Sequence, residues 1–121
     1  MRQFRRADRL GKQMRRDISV LLENELAERI DGMVTFTRVR LTDDLRQAKV
    51  YFSYLGNEEN KQKVEAYLTG EAGRIRSRVG KNLNVRHIPE LIFVFDPSVE
   101  ESIRLEQLFD EIKHDREQGD E

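Results

Sequence analysis

Ala48-Lys49-Val50-Tyr51-Phe52-Ser53-Tyr54 places Ala48, Val50, Phe52 and Tyr54 on one side of an extended chain and Lys49, Tyr51 and Ser53 on the other. That period of two marks a half-buried strand. Immediately before it, Thr42-Asp43-Asp44-Leu45-Arg46 supplies a turn, and Val34–Thr42 is rich in strand-forming residues, so the two segments read as an antiparallel hairpin. The alternation of the first strand slips: Val34 and Phe36 share one parity, Val39 and Leu41 the other. A bulge near Thr37-Arg38, or a strand that starts late, accounts for the slip.

Upstream of the hairpin, Leu10, Met14, Ile18, Leu21, Leu22 and Leu26 recur at helical spacing. They predict one amphipathic helix over about 6–29, interrupted only by the weak breaker Gly11 and ended at Asp31-Gly32. Its apolar residues gather within about 160° of arc, and Arg2, Arg5, Arg6, Arg9, Lys12 and Arg16 occupy roughly 120° on the other side. Downstream, Gly56-Asn57 closes the second strand. A short helix over 58–69 carries Val64 and Leu68, and a second over 72–82 carries Ile75 and Val79, with Arg74, Arg78 and Lys81 on its outer side. Between them lies Gly70-Glu71-Ala72-Gly73, and Gly80 suits a helix stop. Pro89 limits the third strand to about 90–95. Pro97 and a Ser98–Glu101 capping box then start a last helix with Val99, Ile103, Leu105 and Leu108. Beyond Lys113 the residues are polar or charged apart from Gly119, the composition of a disordered tail.

The order is α–β–β–α–kink–α–β plus a C-terminal helix, an α+β fold with a three-stranded mixed sheet. This is the KH type II arrangement, in which a Gly-x-x-Gly loop clamps nucleic-acid backbone. Gly70-Glu71-Ala72-Gly73 matches that tetrapeptide literally, but the Glu71 carboxylate would repel phosphate. The favoured reading is a glycine-weakened helix junction.

With 121 residues, 37% of them hydrophobic and 37% charged, the chain supports one modest core, expected over 1–113, and an acidic tail over 114–121. The absence of cysteine excludes disulfides and thiolate chemistry. The longest apolar run, Leu91–Phe95, is far too short to cross a bilayer, and the basic N-terminus leads into no apolar signal core. A soluble cytoplasmic monomer is expected, with no membrane or small-molecule partner. The formal net charge of −1 hides a segregation: residues 1–16 carry a net of +6, residues 74–88 a net of +5, and residues 96–121 a net of −7. Such patterning suits a polyanion-binding surface and a separate acidic end.

Catalysis finds little support. His87 and His114 are the only histidines, no phosphate-binding or zinc-protease motif occurs, and no cofactor or metal is implied. Asp43-Asp44 and Glu58-Glu59 read as solvated turn ends. Tyr51, on the outer side of its strand, is a candidate to stack on a base. The expected activity is therefore binding and not an enzymatic reaction.

Four stretches together resemble the ribosome-binding factor A family of bacteria: Arg5–Gly11; Thr37–Leu41 with Asp43–Ser53; Ile75–Lys81; and Arg86–Phe93 with Asp96. The resemblance implies a KH type II-like domain that binds the small ribosomal subunit and its ribosomal RNA, assists late maturation including the 5′ end, and is linked to growth in the cold. The family marks its helix kink with Ala-x-Gly; here Glu71-Ala72-Gly73 has Glu71 at the alanine position, so the kink is expected over Gly70, Glu71, Ala72 and Gly73. Arg5, Arg6, Arg9, Lys12, Arg16, Arg74, Arg78 and Lys81 are the expected RNA contacts, with Arg38, Arg76 and Arg86 flanking them. Two other classes compete: a module docking an acidic protein partner, and a DNA-binding protein, for which no helix–turn–helix pair is evident. The acidic tail is read as solubilising, or as a contact for a basic ribosomal protein or for the chain's own cations.

Overall fold

The computed structural model describes the backbone of residues 2–119 and the side chains of 5–98 and 101–114. Helix α1 (Arg2–Leu21) continues directly into a π-helical turn over Leu22–Leu26 and a 3-10 turn over Ala27–Arg29. The helical path thus reaches the expected end, although its last turns first widen and then tighten. Leu10, Met14, Ile18, Leu22 and Leu26 form a buried line along it. Full burial of each such side chain contributes on the order of 2 kcal/mol. Gly11 marks the closest approach to the sheet: a Cβ there would lie 2.6 Å from the Val39 carbonyl oxygen. Gly32, at φ +116°, then reverses the chain beneath the Tyr54 ring, and the Tyr54 hydroxyl donates to the Asp31 carbonyl.

Strands β1 (Met33–Leu41) and β2 (Gln47–Leu55) pair antiparallel from Met33↔Leu55 to Leu41↔Ala48. Their register shifts between Phe36 and Arg38, so the bulge is real and Thr37 is the extra residue. In the connecting turn Leu45 adopts φ 59°, and Asp44 accepts hydrogen bonds from the Thr42 hydroxyl and the Arg46 amide. Those bonds hold the Asp44 carboxyl below its ordinary range. Strand β3 (Glu90–Phe95) lies parallel to β2 and completes a mixed sheet in the order β1-β2-β3. Phe36, Ala48, Val50, Phe52, Leu91 and Phe93 point into the layer formed by α1 and the helix that joins β2 to β3, with the Phe36 and Phe93 rings 5.9 Å apart. Arg38, Arg40, Lys49 and Tyr51 project from the opposite face of the sheet, as the register requires.

Between β2 and β3 the structure corrects the expectation of two helices. After a 3-10 turn at Glu58–Asn60, α2 runs as one helix from Lys61 to Gly80, straight through Gly70-Glu71-Ala72-Gly73. The tetrapeptide is helical, so it forms neither a Gly-x-x-Gly loop nor a gap between elements. Burial of Val64, Leu68, Ile75 and Val79 on both sides of it outweighs the ~1 kcal/mol that each glycine costs a helix. A Cβ at Gly70 or Gly73 would meet nothing within 4 Å.

Helix α3 (Ser98–Gly119) differs from expectation at both ends. It is capped by Asp96, whose carboxylate accepts the Ser98 amide at 3.0 Å, while the Glu101 amide goes to the Pro97 carbonyl at 2.9 Å. Pro97 thus occupies the first helical position, and the Ser98–Glu101 capping box is replaced. At the other end, helical backbone continues past Lys113 to Gly119 through Arg, Glu and Gln, all good helix formers; Asp120 and Glu121 lie outside the described residues. Leu105, Leu108, Phe109 and Ile112 form an apolar stripe that stays exposed, Phe109 at 61%.

Asp96 also accepts the Thr37 hydroxyl at 2.8 Å, joining the bulge of β1 to the start of α3 across the middle strand. Hydrogen bonds from the Ser98 hydroxyl and amide hold its carboxyl below the usual range, helped by Thr37 and the charge of Arg38 and opposed by burial. A depressed folded-state pKa stabilises the fold above the unfolded value near 3.8 and loses that contribution as pH falls through the folded value. Asp96→Asn should therefore cost about 1–3 kcal/mol at neutral pH, with the deficit shrinking below about pH 4, as read by urea denaturation across a pH series. Gly70→Ala and Gly73→Ala should each raise stability by about 0.4–1 kcal/mol in the same assay, because the added methyl meets open space.

Candidate nucleic-acid interface

Helices α1 and α2 share the layer over the sheet and run antiparallel. Gln13 near the middle of α1 donates from Nε2 to the Asn82 carbonyl at 3.3 Å, while Glu25, further along the first helical segment, meets Arg74, further back on α2. Burying the apolar line of α1 turns the opposite side outward, and Arg5, Arg6, Arg9, Lys12 and Arg16 are all exposed there. Arg5, Arg6 and Arg9 rim an open cavity of about 460 Å³ completed by Leu10, Gln13, Asn84 and Val85. No carboxylate lines this cavity, and among the described residues none of the three arginines is ion-paired. Three guanidiniums around a groove with an apolar floor and two amide side chains are suited to phosphate and to polar base edges.

Further along the same seam, a second groove of about 380 Å³ runs between Asp17, Val20, Leu21, Asn24 and Glu25 on one side and Arg78, Val79, Lys81 and Asn82 on the other. The cations of the two basic stretches thus border one seam, but this second groove is mixed in charge. Arg78 Nη2 lies 2.6 Å from Glu25 Oε1, and Arg74 contacts both Glu25 and Glu71 at 3.3 Å. Asp17 adds a buried carboxylate oxygen that makes no hydrogen bond. Of the outer stripe of α2, Lys81 alone stays out of any ion pair among the described residues.

The flanking positions separate. Arg76 donates from Nε and Nη2 to the Ile88 carbonyl at 3.1 and 2.6 Å, fastening α2 to the segment that enters β3. Arg38 lies on the far face of the sheet, its guanidinium 4.2 Å above the Tyr51 ring. That contact covers the ring expected to stack on a base. Arg86 is exposed in the segment between α2 and β3. Sequence reasoning missed Glu25, Gln13, Asn82 and Asn84. Glu25 joins the seam across nearly fifty residues of chain, and no local pattern announces such a contact.

Among the described residues, no group of three or more His, Cys, Asp or Glu side chains could hold a metal ion, and no helix is long and apolar enough to cross a membrane. Among the described residues, the two carboxylates with displaced titration, Asp44 and Asp96, serve a turn and a helix cap.

The family described as ribosome-binding factor A matches residues 6–109. Ribosome-binding factor A of Nitrosomonas europaea is 41% identical over 110 residues, covering 91% of this chain and 94% of its own length. The crystal structure of ribosome-binding factor A from Thermus thermophilus shares the fold at a TM-score of 0.61 and 21% identity, over 73% of this chain and 93% of that one. A homology model of the Thermus thermophilus factor, fitted into a cryo-electron-microscopy map of a complex between the 30S particle and ribosome-binding factor A, gives a TM-score of 0.59 at 21% identity, over 72% and 91% of the two chains. With its KH-like α+β fold and a family match that runs from Arg6 to Phe109, the chain belongs to the ribosome-binding factor A family.

Proposed function

We propose that this protein is an assembly factor that binds the small ribosomal subunit and lays the α1 arginines along the backbone of its ribosomal RNA. The observation that carries this reading is the cavity rimmed by Arg5, Arg6 and Arg9, which are exposed and, among the described residues, make no ion pair. Exposed guanidiniums without internal counter-charges are held at an electrostatic cost that an incoming polyanion relieves. Family membership and the mapped complex between the 30S particle and ribosome-binding factor A support the small subunit as the particle bound. Lys12 and Arg16 extend the row along α1, and Lys81 and Arg86 flank it.

Contacts to phosphate position a protein on RNA and carry little base information. Selection would rest on the shape of a folded ribosomal cleft. The protein acts as a cytoplasmic monomer that favours one RNA conformation through differential affinity, assisting late maturation of the subunit RNA, including its 5′ end, with greatest demand in the cold.

Co-sedimentation with purified small subunits across a salt series tests the reading. The log–log slope should fall by about 0.7 to 0.9 for each phosphate engaged, and a flat response would remove the account. Reversing charge with Arg6→Glu and Arg9→Glu together should weaken binding by on the order of ten-fold or more without lowering the melting temperature, since both side chains are exposed. Retention by RNA-free subunit proteins, and not by RNA, would point instead to an acidic protein partner.

A further inference from the structure

Arg74 and Arg78 stand one turn apart on α2 and share the Glu25 carboxylate, while Arg74 also pairs with Glu71 at 3.3 Å through its other terminal nitrogen. Each guanidinium takes one carboxylate oxygen, Arg78 through Oε1 at 2.6 Å and Arg74 through Oε2 at 3.3 Å. Two guanidiniums sharing the two oxygens of one anion is the geometry with which arginines hold a phosphodiester. The ion pairs are not sealed: both arginine side chains are about half exposed and Glu25 is a quarter exposed. Pairs that open to solvent are weak, so a competing anion displaces them readily. Glu25 itself sits in the π-helical turn between buried Leu22 and Leu26, an irregular winding that often accompanies functional positions. The groove beside it also presents Lys81, which makes no ion pair among the described residues.

We propose that Arg74 and Arg78 form a phosphate site that Glu25 fills in the free protein and that an RNA phosphodiester takes over in the complex. The inference rests on the RNA-binding reading above and adds a second anchor, held shut by the chain's own carboxylate. In the free state Glu25 lowers the positive potential of α2, so that the α1 arginines make the first contact. Engagement of α2 then requires an anion placed well enough to replace a carboxylate. A loosely held polyanion would use the α1 end alone, whereas RNA that fits the seam would use both.

The test compares wild type, Glu25→Gln and Arg78→Gln in binding to purified small subunits across a salt series, with thermal melts of each variant. Glu25→Gln should bind several-fold more tightly at low salt, because the phosphate no longer has to displace a carboxylate from the two arginines. Arg78→Gln should bind several-fold more weakly even though Arg78 is already paired in the free protein. Unchanged or weakened binding by a folded Glu25→Gln variant would reduce Glu25 to a strut between helices and overturn the proposal. If that variant fails to fold, Arg78→Gln decides alone, and wild-type affinity in it overturns the proposal equally. Repeating the series in inorganic phosphate at matched ionic strength separates the possible anions. Tightening that persists supports a phosphodiester of the polymer, and its loss assigns the site to a free anion instead. Failure of the wild-type protein to sediment with subunits is a different result, which removes the parent reading before Glu25 is considered.

Discussion

Enclosing Met14, Ile18 and Leu26 against the sheet fixes the rotation of α1 about its own axis. A helix with one buried side has no freedom over where its other residues point. The outward direction of Arg5, Arg9 and Arg16 is therefore set by leucines, an isoleucine and a methionine, and each substitution in that buried line acts on the interface as well as on stability. The sheet does the same for α2, whose Val64, Leu68, Ile75 and Val79 bury one side and leave Arg74, Arg78 and Lys81 on the other.

Electrostatics then divides cations that look alike on paper. Arg5, Arg6 and Arg9 keep their charge open to solvent, whereas Arg74 and Arg78 share Glu25. Arg76 is spent on a main-chain carbonyl and Arg38 on an aromatic ring. Guanidinium suits each of these tasks because its planar fork donates to a carboxylate or a carbonyl and its flat face stacks on a ring. Counting basic residues thus overstates the surface that a polyanion would meet first.

How far this could be read from sequence depended on the range of the interaction. Strand β2 and the Thr37 bulge were legible because a period of two, and a break in it, is written in adjacent residues. The length of α2 was not, since Gly70 and Gly73 argue locally for a stop while the packing that overrides them comes from elsewhere in the fold. Cap geometry failed by two residues: Asp96 and Ser98 are both good caps, and the hydroxyl of distant Thr37 fixes Asp96 in place. The α1 stripe was legible from helical spacing, but the ion pairs of Glu25 with Arg74 and Arg78 join segments far apart in the chain. The exposed apolar stripe of α3 belongs to the same class, since spacing reveals the stripe and says nothing of whether a neighbour covers it.

At Gly11 the helix rests on the backbone of β1 with room for a hydrogen atom and nothing larger, because a methyl carbon would stand 2.6 Å from the Val39 oxygen. The row of guanidiniums is thus levelled by an atom on the reverse side of the same helix, out of reach of any ligand. Lifting α1 off its seat there would tilt Arg9 and its neighbours away from Asn84 and Val85 with every positive charge still present. A lesion at this position by a neutral side chain would imitate the loss of the arginines while leaving the chain's net charge unchanged.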